Sequence, residues 1–270
     1  MDQSVSKSVA SKITKQDFIE LVSQCSRTSV LDCENLYEQY KIHLSNHNSI
    51  ELKPCKTAEL QKKWYDSLED PDFTVYEDPY YICDIWLCWV KYSRRYLCDI
   101  SKPTSLGTRS IQSYIGQPKV IFDLGCGFGY TTALLKELFP LSKVVGTNLE
   151  TSFQYEMAKQ MGQRYGFEVH SGLDEIHTAD LVFASEYFEH FQSPLEHLHD
   201  VLKKRRPKFL IIANGFNGLA IGHFNTYYHL GKPYCASDMG RMFNKQVSAY
   251  GYKKLKTKLW NNRPAIWVHQ

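Results

Sequence analysis

The chain has 270 residues, 43% of them hydrophobic and 14% aromatic, and a formal net charge of +3. Such a chain can bury a full core as one α/β domain with an extension, which excludes the disordered, highly charged class. The small charge does not describe a surface coated for nucleic acid, although a local basic patch stays open, and no uncharged apolar run approaches the ~20 residues that span a bilayer.

In chain order, residues 1–14 read as a flexible, Ser- and Lys-rich tail without the apolar stretch of a secretory signal, so the expected location is cytoplasmic. Residues 15–115 read as a helical N-terminal extension. Phe18, Leu21, Val22, Leu36 and Tyr40 recur at helical spacings, with a break near Ser26. Residues 45–54 read as a loop, 58–68 as a helix, and 73–76 as a short extended segment. Pro79 can open the next helix, through Ile82, Ile85, Trp86, Trp89, Val90 and Tyr96. The 8 cysteines contain no Cys-x-x-Cys pair, and no metal-ligand cluster is visible, so no metal is expected.

The pattern changes at residue 116. Strands are expected at 120–124, 143–148, 167–170, 179–184, 209–213, 252–259 and 265–269. Helices are expected at 130–139, 151–165, 194–203 and 237–250. β-α units followed by two closing strands imply an α/β fold with a doubly wound, mostly parallel, seven-stranded Rossmann-like sheet over residues 116–270.

The first strand of that region runs into Asp123-Leu124-Gly125-Cys126-Gly127-Phe128-Gly129 and then a helix. Glycines there allow positive φ and leave no Cβ between backbone and ligand. The helix that follows turns unpaired N–H groups toward whatever sits at its start. The spacing is Gly-x-Gly-x-Gly after an acid, unlike the Gly-x-Gly-x-x-Gly of dinucleotide enzymes. In these residues the sequence resembles the class I S-adenosylmethionine-dependent methyltransferases, over about residues 116–270. The resemblance implies S-adenosyl-L-methionine as cofactor, held by Asp123, Gly125, Cys126, Gly127 and Gly129. It further implies a ribose contact after the second strand, where Asn148 and Leu149 stand in Val144-Val145-Gly146-Thr147-Asn148-Leu149-Glu150. The family usually has an acid at the position of Asn148; an amide can accept one such bond, and Glu150 is the other residue able to serve. After the third strand, Asp174 and Glu175 are the implied adenine-side contacts.

The fourth strand leads into Ser185-Glu186-Tyr187-Phe188-Glu189-His190, which resembles the Glu-x-x-x-His segment of small-molecule methyltransferases. Ser185 is assigned to the cofactor side. A helical turn after Glu186 would set Glu186 and His190 on one face, as catalytic candidates; His is suited to take a proton from an acceptor, or serves to position it. The long loop after the fifth strand lies where ligands of open sheets bind, which makes His223, Asn225 and Tyr228 substrate candidates. Asp78-Pro79-Tyr80-Tyr81 is similar to the Asp-Pro-Pro-Tyr motif of amino-methylating DNA enzymes but lacks its second proline. Residues 203–208, Lys-Lys-Arg-Arg-Pro-Lys, are the strongest charge run.

The expected activity is methyl transfer to an O, N or C nucleophile, most directly of a small molecule. A nucleic-acid methyltransferase and a non-catalytic scaffold that binds S-adenosylmethionine are the two alternatives.

Overall fold

A computed structural model of the chain describes residues 16, 19–20, 22–23, 29–45, 55–78, 81–82, 85, 96–172, 178–218 and 220–270. Five strands come first: β1 (Val120–Leu124), β2 (Lys143–Thr147), β3 (Glu168–His170), β4 (Leu181–Ser185) and β5 (Phe209–Ala213). Every residue of β4 and β5 is buried, as expected for parallel strands covered on both faces. A separate hairpin follows, β6 (Thr226–His229) with β7 (Lys232–Cys235), and the sheet closes with β8 (Tyr252–Lys254) and β9 (Ala265–His269). The sheet order is β3-β2-β1-β4-β5-β9-β8, parallel except for β9.

Two features of this order position the site. From β1 the chain builds outward through β2 to β3, then returns to place β4 on the other side of β1. The crevice outside the C-terminal ends of β1 and β4 is therefore the switch point, where open α/β sheets bind ligands. β9 runs against β5, with Ala265 opposite Ile212, so the residues just before β9 arrive at that same edge.

The helices are α1 (Val30–Ser45), α2 (Cys55–Asp66), α3 (Ile111–Ile115), α4 (Tyr130–Leu138), α5 (Phe153–Tyr165), α6 (Pro194–Arg205) and α7 (Ala236–Ala249). α5 starts at the Ser152 side chain, which accepts from the Tyr155 N–H, and stops at left-handed Gly166. Pro194 opens α6 at a position where a missing N–H costs nothing. Among the described residues no helix is long and apolar enough to cross a membrane.

Some expectations need correction. Residues 73–76 are not extended: Phe73–Glu77 is a 3-10 turn, capped by Asp72, whose carboxylate accepts from the Thr74 N–H at 3.0 Å and the Thr74 hydroxyl at 2.5 Å. The Asp-Pro-Tyr-Tyr stretch thus lacks the preceding strand its motif reading needs; Pro79 and Tyr80 lie outside the described residues. The strand expected at 252–259 ends at Lys254, and the β6–β7 hairpin was not anticipated. Trp86, Trp89 and Val90 lie outside the described residues. The extension packs on the core through Trp64, which is fully buried and donates its Nε1–H to the His223 carbonyl at 2.7 Å. The same indole meets the rings of Phe73, Tyr76 and Phe224 edge-on.

Candidate active site

The switch point opens into one cavity of about 1890 Å³. Its sheet-side wall comes from the strand ends: Gly125 and Gly127 after β1, Thr147, Asn148 and Leu149 after β2, Gly172 after β3, and Glu186, Tyr187 and His190 after β4. Asn214 and Gly215 after β5, His223 and Arg263 continue it, and Tyr76, Tyr81 and Tyr96 close it from the N-terminal extension.

The glycine loop is shaped by its neighbours. Gly125, Gly127 and Gly129 all have positive φ, from 54° to 85°. A Cβ on Gly125 would run into the Tyr187 ring, and one on Gly129 would stand 2.8 Å from Phe167. The loop from β1 and the segment from β4 are thus in direct contact at the switch point. Tyr187 is fixed in turn: its hydroxyl lies at hydrogen-bonding distance from His197 Nε2, 2.8 Å, and burial pushes its pKa up, so the phenol stays protonated.

Asp123 does not reach the cavity wall. It is 1% exposed and lies beneath the loop, where its Oδ2 accepts from the hydroxyls of Thr131 at 2.5 Å and Thr132 at 2.7 Å. Burial raises its pKa to about 7 against the lowering effect of those two bonds. Its role here is to anchor the first turn of α4. Cys126 is buried as well, with its N–H on the Thr147 carbonyl at 2.9 Å. Cys126, Gly129 and Ser185 are likewise absent from the wall, so they support the loop and strand end from behind.

Asn148 ties two strand ends together. Its Nδ2 donates to the Gly127 carbonyl at 3.0 Å, and its Oδ1 accepts from the Leu149 N–H at 2.8 Å. Leu149 beside it is 68% exposed, an apolar surface on the wall where a flat ring could rest. Glu150 is exposed and off the wall. Asp174 and Glu175 lie outside the described residues.

The acceptor side departs from the helical-turn expectation. Glu186 follows β4 with φ 49°, a left-handed conformation unusual for a side chain of its kind. The turn after it is 3-10, Phe188–His190. Glu186 stands outside that turn, and its left-handed backbone turns its carboxyl to that of Glu189. Glu186 Oε1 accepts from Arg263 Nη2 at 2.5 Å. Glu189 is fully buried, takes the Gly215 N–H on Oε1 at 2.6 Å, and has no partner at Oε2. Burial first, and then the charge of Glu186, raises the Glu189 pKa to about 8. Burial also raises that of Glu186, with Arg263 opposing.

His190 contacts the Tyr76 hydroxyl through Nδ1 at 3.3 Å, and its ring stands edge-on to His223, with centroids 5.1 Å apart. Burial, helped by His223, holds its pKa down at about 3, so the imidazole is neutral. His223 is buried, with Nδ1 2.7 Å from the Gly218 carbonyl. Of the three acceptor-loop candidates only His223 joins the site. Asn225 is exposed, and Tyr228 is 41% exposed on the β6–β7 hairpin; neither reaches the cavity. Sequence reasoning missed Glu189 and Arg263. Glu189 was legible as the second acid of Glu-x-x-Glu-His, whereas Arg263 comes to the site only because β9 is antiparallel.

Residues 122–209 match a family described as Methyltransferase domain. No curated protein is significantly similar in sequence. Among solved structures, the plantazolicin methyltransferase BpumL, in complex with a monoazolic desmethylPZN analog and SAH, aligns at 18% identity with a TM-score of 0.41. The alignment covers 59% of this chain and 60% of that one, so the chain spans well under two thirds of that neighbour. The mitomycin 7-O-methyltransferase MmcR aligns at 13% identity over 76% of this chain and 59% of its own, with a TM-score of 0.49. The citrinin polyketide synthase CMeT domain aligns at 16% identity over 57% and 47%, with a TM-score of 0.44. The family match at residues 122–209 takes in the glycine loop after β1 and the Glu186–His190 segment after β4.

Proposed function

We propose that this protein transfers the methyl group of S-adenosyl-L-methionine to a nucleophile of a small molecule, with residues 15–115 as the substrate cap. One observation carries the reading. The glycine loop after β1 and the Glu186–His190 segment after β4 touch at the switch point and open onto one cavity. The cofactor fits the residues present: Gly125 and Gly127 leave backbone bare at the wall, Asn148 Oδ1 keeps a second lone pair for a ribose hydroxyl, and Leu149 offers an apolar rest for adenine. That cofactor supplies an electrophilic methyl group.

The chain's own residues do the rest. Tyr76, Tyr81 and Tyr96 line the acceptor side and exclude water. A neutral His190 orients the acceptor, because an imidazole held at about 3 is a weak base. The Glu186–Glu189 carboxyl pair is the stronger proton acceptor. Positioning then supplies much of the rate. A nucleic-acid acceptor has less behind it: Arg205 is buried, and of the basic run only Lys204 lines the cavity. Calorimetry with S-adenosylmethionine, and detection of S-adenosylhomocysteine on incubation with a hydroxylated or aminated metabolite mixture, tests the reading. No binding by the folded protein would overturn it.

A further inference from the structure

We propose that Glu186, Glu189 and His223 bind one divalent cation, of the Mn²⁺ or neighbouring first-row kind, on the acceptor side of the cavity. The three side chains each bring a ligand atom within 4.8 Å of the other two. A cation about 2.0–2.2 Å from oxygen and nitrogen ligands sets opposed pairs ~4.2 Å apart, so the cluster closes around an ion with shifts of a few tenths of an ångström. Two carboxylates and an imidazole form a mixed oxygen and nitrogen set, which suits Mn²⁺ or Zn²⁺ better than Ca²⁺.

Each ligand is prepared independently. His223 Nδ1 lies 2.7 Å from the Gly218 carbonyl, an oxygen that can only accept, so Nδ1 carries the proton. The Nε2 lone pair is then free, and the carbonyl is the outer partner that metal-binding histidines usually have. Glu189 is fully buried, no N–H or hydroxyl reaches its Oε2, and its carboxyl stands against that of Glu186, a costly pairing of two acids that a cation would relieve. Glu186 gives Oε1 to Arg263, which leaves Oε2 for an ion. That Oε2 and Glu189 Oε1 both crowd Gly215, at 3.5 and 3.6 Å from where a Cβ would stand. The nearby guanidinium limits affinity, so micromolar binding is expected.

The consequence for chemistry rests on the methyl-transfer reading. Three protein ligands leave coordination positions facing the cavity, where a hydroxyl of the acceptor can enter and become more acidic. This narrows the acceptor atom from O, N or C to a hydroxyl oxygen. In that transfer the oxygen–methyl bond forms as the methyl–sulfur bond breaks, the bonding pair stays on sulfur, and the hydroxyl proton leaves to solvent, because Glu186 and Glu189 are then ligands of the ion and no longer its acceptor.

The test uses the full chain, stripped with a chelator and titrated with Mn²⁺, with free ion followed by electron paramagnetic resonance. One saturable site per chain is expected, weakened at least tenfold by Glu189→Gln and by His223→Asn, and displaced by Zn²⁺. S-adenosylhomocysteine affinity, measured on the same samples, should stay within about threefold in either variant and so reports that the fold is intact. Absence of saturable binding of Mn²⁺, Zn²⁺ and Mg²⁺ to the wild-type chain overturns the proposal, as does Mn²⁺ affinity unchanged in both variants. S-adenosylhomocysteine binding without metal binding would sink the cation site and leave the methyl-transfer reading standing; the reverse result would sink that reading and leave the cation site.

Discussion

Asp123 is a buried carboxylate whose partners are two threonine hydroxyls of the helix it precedes. Removing the acceptor strands both hydroxyls, so Asp123→Ala should cost about 2–6 kcal/mol in urea unfolding, at ~1–3 kcal/mol for each buried donor left unpaired. Asp123→Asn keeps an oxygen there and should cost less. The pH dependence has a definite sign. The folded-state pKa is raised from 3.8 to about 7, so between those values the folded chain holds a proton that the unfolded chain has released. The contribution of Asp123 to stability therefore falls as pH rises through that window, and Asp123→Asn should lose less stability than wild type between pH 5 and 8. Equal slopes for the two proteins would refute this. Gly125 makes the complementary case. Its φ of 63° and the Tyr187 ring against it leave no room for a methyl group. Gly125→Ala is expected to weaken S-adenosylmethionine binding at least tenfold by calorimetry and to cost about 1–3 kcal/mol of stability.

At the scale of elements, what could be read from the chain follows the physics of each signal. β1, β5 and β9 lie at the residues expected of them, because a run such as Phe209-Leu210-Ile211-Ile212-Ala213 fits only a strand buried on both faces. The β6–β7 hairpin was hidden because its turn is Leu230-Gly231, both at positive φ, where Asn-Gly is the recognisable pair. Pro233 inside β7 further argued against a strand, although a free edge tolerates it. Phe73–Glu77 misled in the opposite way: its β-type side chains outweighed the Asp72 cap. In the site, Gly125, Gly127, Asn148, Glu186, His190 and His223 reach the cavity, as a motif at strand ends predicts. Arg263 could not be foreseen without the strand order. The junction between the extension and the acceptor loop can be tested at Trp64. Trp64→Phe keeps a ring and loses the bond to the His223 carbonyl, for about 1 kcal/mol. Trp64→Ala empties a buried site and should cost ~3–5 kcal/mol. In the phenylalanine variant turnover should fall while S-adenosylhomocysteine affinity holds within twofold. An equal loss of both would place Trp64 in the general fold and not in the cap.

For the whole molecule, the size and wall of the cavity govern behaviour. At about 1890 Å³ it exceeds the ~300–1,000 Å³ of a site for one drug-sized ligand, so a cofactor and an acceptor can occupy it together. Its wall draws on the extension, on the ends of β1 to β5 and on the segment before β9, so a ligand there bridges parts of the chain that are distant in sequence. S-adenosylhomocysteine at a hundredfold excess over its Kd should therefore stabilise the fold by about 2.7 kcal/mol and raise Tm by a few degrees. The two acceptor classes part on salt. A net charge of +3 gives the molecule only a weak overall attraction for phosphates, and of the basic run only Lys204 lines the cavity. For a small acceptor kcat/KM should change less than about twofold between 50 and 200 mM salt, whereas an acceptor held through 6–10 phosphates would lose ~10³–10⁵ in affinity over that range. A steep salt dependence would overturn the small-molecule reading even if methyl transfer itself were intact, because affinity would then come from counterion release and not from the aromatic wall.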